Sequence, residues 1–535
     1  MSKRFRLTKA SKILIVFLIV ALIGGGVFAG LKTGFIKTKT AASSDAKENV
    51  VAANKDASSD SGTPSSEKST KKTDGDATIN LSLDEWTGWK SIIDGNQGLT
   101  TQPGSIYDKL GIKVNINIIN DATQSSNALI KGDLNAAGYT INRTAFLSQK
   151  FTDAGKEVVM PFITNYSNGG DGIIAKSSIQ SVNDLVGAKI GVPEFSEAQT
   201  LVVWFVNNSD LSDEQKSEII DNLVLFSTAD DTAKAFFAGQ VDVAATWEPY
   251  LTQAQNMTDA HVLFSTASST NLVMDGILFD KEFAEAHPDV VEKFIQGALE
   301  ASSMYDTEFD AVREVMPMFN TASDEDIIAS TKTAKLTTWK DNSDLLNGTA
   351  KTIYSDMCNV WTSIGESVNA SLVDAIFDDT YIDAIADNFN TTEVSNTETV
   401  KVTEENKQTI EDTQALLSGS ASVTFEKNTA KFSDSASAYE EHDKFINIAK
   451  VLDGAIIEIA GNTDPNPNSD PLDEYNKKLS LQRAEAVKNY FIMNGISVDR
   501  IVVVGNGSSN PVVDNDTEEH RAMNRRTDVS FKIIE

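Results

Sequence analysis

Few side chains in this 535-residue chain are placed to make or break a covalent bond. Cys358, the single cysteine, lies in SDMCNVW, which reads as a helix packing position with no activating base beside it. His261, His287, His442 and His520 are far apart in sequence and have no cysteine partner set, so there is no metal-ligand spacing. No serine stands in an active-site motif. The expectation is a binding protein rather than an enzyme, without metal or cofactor, whose abundant Asp and Glu form a solvated surface. The chemistry left is recognition: polar loop residues that follow strands, close to helix starts, can offer backbone N–H groups to an anion while an indole supplies apolar contact. The candidates are Trp86 and Trp89 after the first strand, Asn168 and Gly170 in NYSNGGDG, Ser196 and Glu197 after IGV, and Trp247 and Glu248 after VDVAAT. Glu248 would oppose a bare anion unless paired; its alternatives are contact with an amine or a helix cap.

The elements that must position these residues are short. GIKVNINII places Ile112, Val114, Ile116 and Ile118 at period two, a strand. DLVGAKIGV (184 to 192), NLVLFST (222 to 228) and VDVAAT (241 to 246) read as further strands, separated by helical stretches such as DDTAKAFFAGQ. Such alternation predicts α/β layers with mainly parallel sheets. In HPDVVEKFIQGALEASSMY, Pro288 opens a helix whose apolar face is Val291, Phe294, Ile295, Ala298 and Leu299.

Ahead of all this stands ILIVFLIVALIGGGVFAG, uncharged from Ile13 to Gly30 and extended by Leu31. At ~1.5 Å per residue it covers about 27 Å, enough for a transmembrane anchor; the other reading is a cleaved signal peptide. The basic tail 1–12 keeps the N-terminus cytoplasmic and sends the rest across the membrane. Residues 1–40 carry eight Lys or Arg and no acid, so the remainder of a chain of net charge -31 carries -39 and should repel nucleic acids. Residues 40–75 are small and polar, a disordered tether spanning about 30 Å.

Three strings, NYSNGGDGIIAKSSIQSVNDLVGAKIGV, TADDTAKAFFAGQVDVAATWEPYLTQA and FDKEFAEAHPDVVEKFIQGALEA, occur in the order and spacing of the nitrate, sulfonate and taurine transporter receptors. Residues 77 to about 320 resemble that group of periplasmic-type substrate-binding proteins. The resemblance implies an α/β bilobal periplasmic-binding-protein-like (type II) domain over 76–390, lobe one being about 77–165 plus 270–390 and lobe two about 170–265. It also implies closure on a small solute and delivery to an ABC permease. Trp247 and Glu248 fall at the family's WEP position. With few basic residues among the candidates, the implied solute is a small oxyanion held by neutral donors and helix ends; phosphate, an amine and a thiamine-precursor-like solute stay open. Trp86 as a hinge core residue and Trp247 as a cap beneath the cleft are the structural alternatives.

After a polar linker, 391–419, a new period-two segment, ASVTFEKN, opens a compact α+β domain over 420–535. Its pieces GNTD, YNKKLSLQRAEAVKNYFIMNGI, GNGSSNP and HRAMNRR resemble the OmpA-like peptidoglycan-binding domain. The resemblance implies that Asp464 and Arg483 hold the amine and carboxylate of diaminopimelate in the peptidoglycan stem peptide, supported by Asn476 and Arg525. The alternative is a turn cap and a surface ion pair. This chain departs from the family in Asn462, where histidine or tyrosine is usual, and in a longer PNPNSDPLDE loop. The whole is expected to be a single-pass protein of the cytoplasmic membrane, its bulk extracytoplasmic, capturing solute and gripping the wall. The competing expectation is a sensory or wall-structural protein that feeds no transporter.

Overall fold

A computed structural model describes residues 77–389, 400–421, 425, 429–432, 437–465 and 474–534. The apolar segment 13–31, the tether 40–75, residues 391–399 of the linker and residues 466–473 of the long loop lie outside them. Among the described residues no helix is long and apolar enough to cross a membrane.

The chain builds half of one lobe, then a complete second lobe, then returns. Lobe one begins with β1 (Thr78–Leu83), β2 (Lys113–Ile118), β3 (Ala136–Thr140) and β4 (Val158–Ser167). Lobe two holds β5 (Asp171–Lys176), β6 (Ile190–Pro193), β7 (Val224–Phe226), β8 (Val243–Trp247) and β9 (Ala260–Ser265). The return adds β10 (Met274–Asp280) and β11 (Ala334–Leu336) to lobe one. The sheet orders are β11-β4-β10-β3-β1-β2 and β7-β6-β8-β5-β9. Both lobes thus share one plan: three parallel strands, then the strand that has just arrived from the other lobe, then the strand after which the chain leaves for the other lobe; lobe one adds β11 beside it. Two crossovers, residues 168–170 and 266–273, join them.

This plan corrects the expectation of mainly parallel sheets. The arriving strands β10 and β5 run antiparallel to both neighbours. They arrive from the neighbouring lobe with no crossover helix to reverse them, a constraint that period and composition do not encode. Local choices follow the sequence closely. Asp121 caps the helix Ala122–Lys131 by accepting from Thr123 and Gln124 N–H, and Gly132 at φ 81° ends it. Pro288 opens Pro288–Glu300, which buries Val291, Phe294, Ile295 and Ala298. Cys358 is buried in the helix Ala350–Ser363.

The C-terminal domain has one four-stranded sheet, ordered β12-β15-β13-β14, from β12 (Leu417–Ala421), β13 (Ile456–Gly461), β14 (Ile501–Gly505) and β15 (Thr527–Lys532). Its first strand lies ahead of the expected ASVTFEKN, in LSGSA. That stretch lacks bulky β-formers because Gly419 must leave room for the Phe445 ring: a Cβ there would stand 2.7 Å from it. The helices Ser437–Val451 and Glu474–Met493 cover the sheet with Phe445, Ile446, Ile448, Val487 and Phe491. The domain touches the second crossover: Gly454 N–H donates to Ser268 O at 3.1 Å, Ser269 Oγ to Val451 O at 2.6 Å, and Asn271 Nδ2 to Lys450 O at 2.9 Å.

Candidate functional site

The strands of both lobes end at the line where the lobes meet, and their polar end residues face one another there. Lobe one contributes Asp84 after β1, Thr140 at the end of β3, Asn165 near the end of β4 and Asp275 at the start of β10, paired in register with both Thr140 and Asn165. Lobe two contributes Asp171 at the start of β5 and Glu197, first residue of the helix Glu197–Asn208. Ser196 caps this helix by accepting Gln199 N–H, so its hydroxyl serves the backbone.

Glu197 crosses to lobe one. Arg143 Nε and Nη2 lie 3.1 and 2.9 Å from its two carboxylate oxygens, and Thr140 Oγ1 donates at 2.8 Å. Burial alone would raise the Glu197 pKa, but Arg143 outweighs it and holds the carboxyl below its usual range. The other carboxyls have no such two-pronged partner, although the Arg143 charge also acts on Asp84 against its burial. Asp171 accepts from Ser167 Oγ at 2.7 Å, yet burial, with a smaller push from Glu197, raises it to about 7. Asp84 accepts the Trp89 indole N–H at 2.7 Å and is also raised, chiefly by burial. Asp275 is 4% exposed and its Oδ2 has no hydrogen-bond partner. Burial and then the charges of Asp84, Glu197 and Asp171 push its pKa well up, against a small opposing effect of the Trp86 indole.

The aromatic candidates divide. Trp86 is half-buried, donates to Asn165 Oδ1 at 3.0 Å and packs on Gly170, where a Cβ would come within 2.7 Å of its ring. Trp247 is 40% exposed and pairs in register with Asp171. Trp89, 1% exposed, belongs to the core of lobe one and reaches the junction only through Asp84. Asn168 is turned to the first crossover's packing, its N–H donating to Thr333 O and its Nδ2 to Lys332 O. Glu248, two residues ahead of the helix Tyr250–Gln255, accepts both Thr252 N–H and Oγ1 from its first turn.

In the C-terminal domain the helix Glu474–Met493 turns Asn476, Ser480 and Arg483 onto one buried face by their spacing of four and three. Asp464, beyond β13, meets Arg525 Nη1 at 3.2 Å and receives Asn476 Nδ2 at its backbone oxygen at 3.4 Å. Arg525 also binds Glu518 at 2.8 Å. Arg483 donates to Thr429 O at 3.2 Å and lies 4.9 Å from the Phe425 ring centre. Burial, then Arg525, lowers its pKa, while Asp464 acts the other way. Asn462 is satisfied inside the fold, donating to Asp528 at 2.8 Å and accepting from Asn506 at 3.0 Å. Beside it Thr463 Oγ1 is buried without a partner.

Residues 105–305 match the family described as NMT1/THI5 like, and residues 424–525 match the OmpA family. The chain joins an NMT1/THI5-like domain to an OmpA-like domain. Over 76 residues the OmpA-like domain is 47% identical to outer membrane porin F of Pseudomonas fluorescens, covering 14% of this chain and 22% of that protein. Over 91 residues it is 38% identical to the peptidoglycan-binding protein ArfA of Mycobacterium tuberculosis, covering 17% and 27%. The chain thus spans less than a third of the length of either curated relative. The NMT1/THI5-like domain is similar in structure to the periplasmic aliphatic sulphonate binding protein SsuA of Escherichia coli, with 15% identity and TM-score 0.44, over 57% of this chain and 98% of that one.

In the OmpA-like domain the structure brings Asp464, Asn476, Arg483 and Arg525 into one electrostatic neighbourhood. In the NMT1/THI5-like domain it brings Trp86, Gly170, Glu197 and Trp247 to the lobe junction, and it adds Asp84, Thr140, Arg143, Asn165, Asp171 and Asp275, which sequence reasoning passed over. The expectation that Asp and Glu form only a solvated surface fails at Asp171 and Asp275, which are buried. Their one sequence signal is position: each lies at a crossover, in GGDG and in VMDG. The expectation of an oxyanion held by neutral donors meets a junction whose single guanidinium is already engaged by Glu197.

Proposed function

We propose that this protein is an extracytoplasmic solute receptor of an ABC importer, anchored in the cytoplasmic membrane by residues 13–31 and held to peptidoglycan by its OmpA-like domain. The observation that carries the reading is the pair of equivalent lobes, joined by two crossovers and bridged face to face by Arg143 and Glu197. Two such lobes can part and close on a solute at the carboxyl ends of their strands, where α/β sheets bind ligands. In the OmpA-like domain, Asp464 holds the amine of a diaminopimelate side chain and Arg483 its carboxylate, a planar fork against a planar anion. Asn476 and Arg525 position Asp464. ArfA, peptidoglycan-binding by name, supports this half of the reading. The membrane permease is the partner that receives the solute.

One observation favours a second reading, in which solute occupancy is sensed at the wall. The OmpA-like domain contacts Ser268, Ser269 and Asn271 in the crossover that must bend when the lobes close. The two readings separate in cells: deleting 77–389 abolishes uptake of the solute under the first, and leaves uptake unchanged under the second. Wall co-sedimentation of the deletion protein persists under both.

A further inference from the structure

The lobe junction has a sign. Asp84 and Asp275 stand on one lobe, Asp171 and Glu197 on the other, and Arg143 gives its Nε and Nη2 to Glu197. Asp275 Oδ2 is buried among these carboxyls without a hydrogen bond of its own, the Trp86 indole being the donor that acts on this carboxyl. An acceptor in that position is stranded unless something brings it an N–H or O–H. An oxyanion brings none, and it repels any of these carboxyls that is ionised. A metal ion does not suit the spacing, because among the described residues no three carboxylate, imidazole or thiol groups come close enough to hold one. The walls are indoles: Trp86 lies over Gly170, one residue before Asp171, and Trp247 is its register neighbour. Indole faces attract organic cations.

We infer that the solute is a small organic cation with N–H donors, an amine, amidine or guanidine, bound by Asp275 together with Asp84 and Asp171 between Trp86 and Trp247. The inference rests on the receptor reading and deepens it. It also supplies the drive for closure. With the cleft empty, burial and the neighbouring charges hold Asp84, Asp171 and Asp275 towards their protonated forms, Arg143 opposing this at Asp84 and outweighing it at Glu197. A cation between them favours the ionised carboxylates of both lobes at once, so occupancy and closure favour each other.

The test uses the full-length protein in detergent, with thermal shift and calorimetry against agmatine, putrescine and choline on one side and nitrate, methanesulfonate and phosphate on the other. At least one N–H-bearing cation, agmatine or putrescine, is expected to raise the melting temperature, with choline weaker and the anions without effect. Asp275→Asn is expected to raise the melting temperature of the empty protein and to weaken binding of that cation at least tenfold. Stabilisation by an anion that survives Asp275→Asn overturns the inference while leaving the receptor reading intact. If neither set binds and Asp275→Asn lowers the melting temperature of the empty protein, Asp275 is a structural group, and the inference and the receptor reading both fall.

Discussion

Arg143 on lobe one and Glu197 on lobe two meet as a two-pronged pair, Nε to one carboxylate oxygen at 3.1 Å and Nη2 to the other at 2.9 Å. It is a charge-compensated contact within a group of carboxyls, so its loss is felt twice: one attraction disappears and Glu197 joins the repulsion around Asp275. Arg143→Met should destabilise the folded protein by about 2 kcal/mol, below the ~3–5 of a fully buried pair because both side chains keep some contact with water. It should also enlarge the radius of gyration seen by X-ray scattering as the lobes part. Unchanged denaturant midpoint and unchanged scattering would remove the pair from the closing surface.

The raised carboxyls make stability depend on pH in a definite direction. Asp171, at about 7 in the folded protein against an ordinary 3.8, binds its proton more tightly when folded. Its contribution is fully present below pH 4 and is lost as pH rises through about 7, an effect of order 4 kcal/mol. Asp275 and Asp84 act with the same sign. So does Asp94, raised to about 7 by burial despite Lys90 beside it. The melting temperature of the solute-free protein should therefore fall between pH 4 and 8, and Asp171→Asn should flatten that slope. A slope that steepens in the variant would contradict the assignment.

The contact between the OmpA-like domain and the second crossover depends on a missing side chain. A Cβ at Gly454 would lie 2.7 Å from Ser268 O, so Gly454→Val must push the two surfaces apart. The expected cost is about 1–3 kcal/mol, and scanning calorimetry should show the domains unfolding in two separated transitions rather than together. Coincident transitions in wild type and variant alike would mean the contact carries no coupling.

Legibility in the sequence followed how local the cause was. The helix at Pro288 and the long helix closed by Gly495 were readable because cap, period and breaker lie within the segment itself. The strand LSGSA was not, because Gly419 answers to Phe445, some 26 residues away. Antiparallel β5 and β10 were hidden for a similar reason: direction comes from the crossovers. At the junction, Trp86 and Glu197 were found from their place after strands. Arg143, Asp171 and Asp275 were missed because a charged residue looks the same in sequence whether it faces water or three other carboxyls.

Trp247 offers a further check. It is exposed at the junction and pairs with Asp171, so Trp247→Ala should leave the fold intact by circular dichroism and weaken the solute identified by thermal shift by roughly tenfold, about 1–2 kcal/mol. Unchanged affinity would place Trp247 outside the solute's reach.

The proposal that this chain is held at the wall by paired charges is tested most directly by co-sedimentation of the full-length protein with purified diaminopimelate-type peptidoglycan. Asp464 and Arg483 stand on separate elements, so only the folded domain brings them to one ligand. Removing either leaves a ligand charge desolvated and unpaired, at a cost of about 2–5 kcal/mol. Asp464→Ala and Arg483→Ala are each expected to abolish co-sedimentation while circular dichroism stays unchanged, and walls with lysine in place of diaminopimelate are expected to bind poorly. A folded Asp464→Ala, Arg483→Ala double variant that sediments with the wall as wild type does would contradict the charge-pair mechanism.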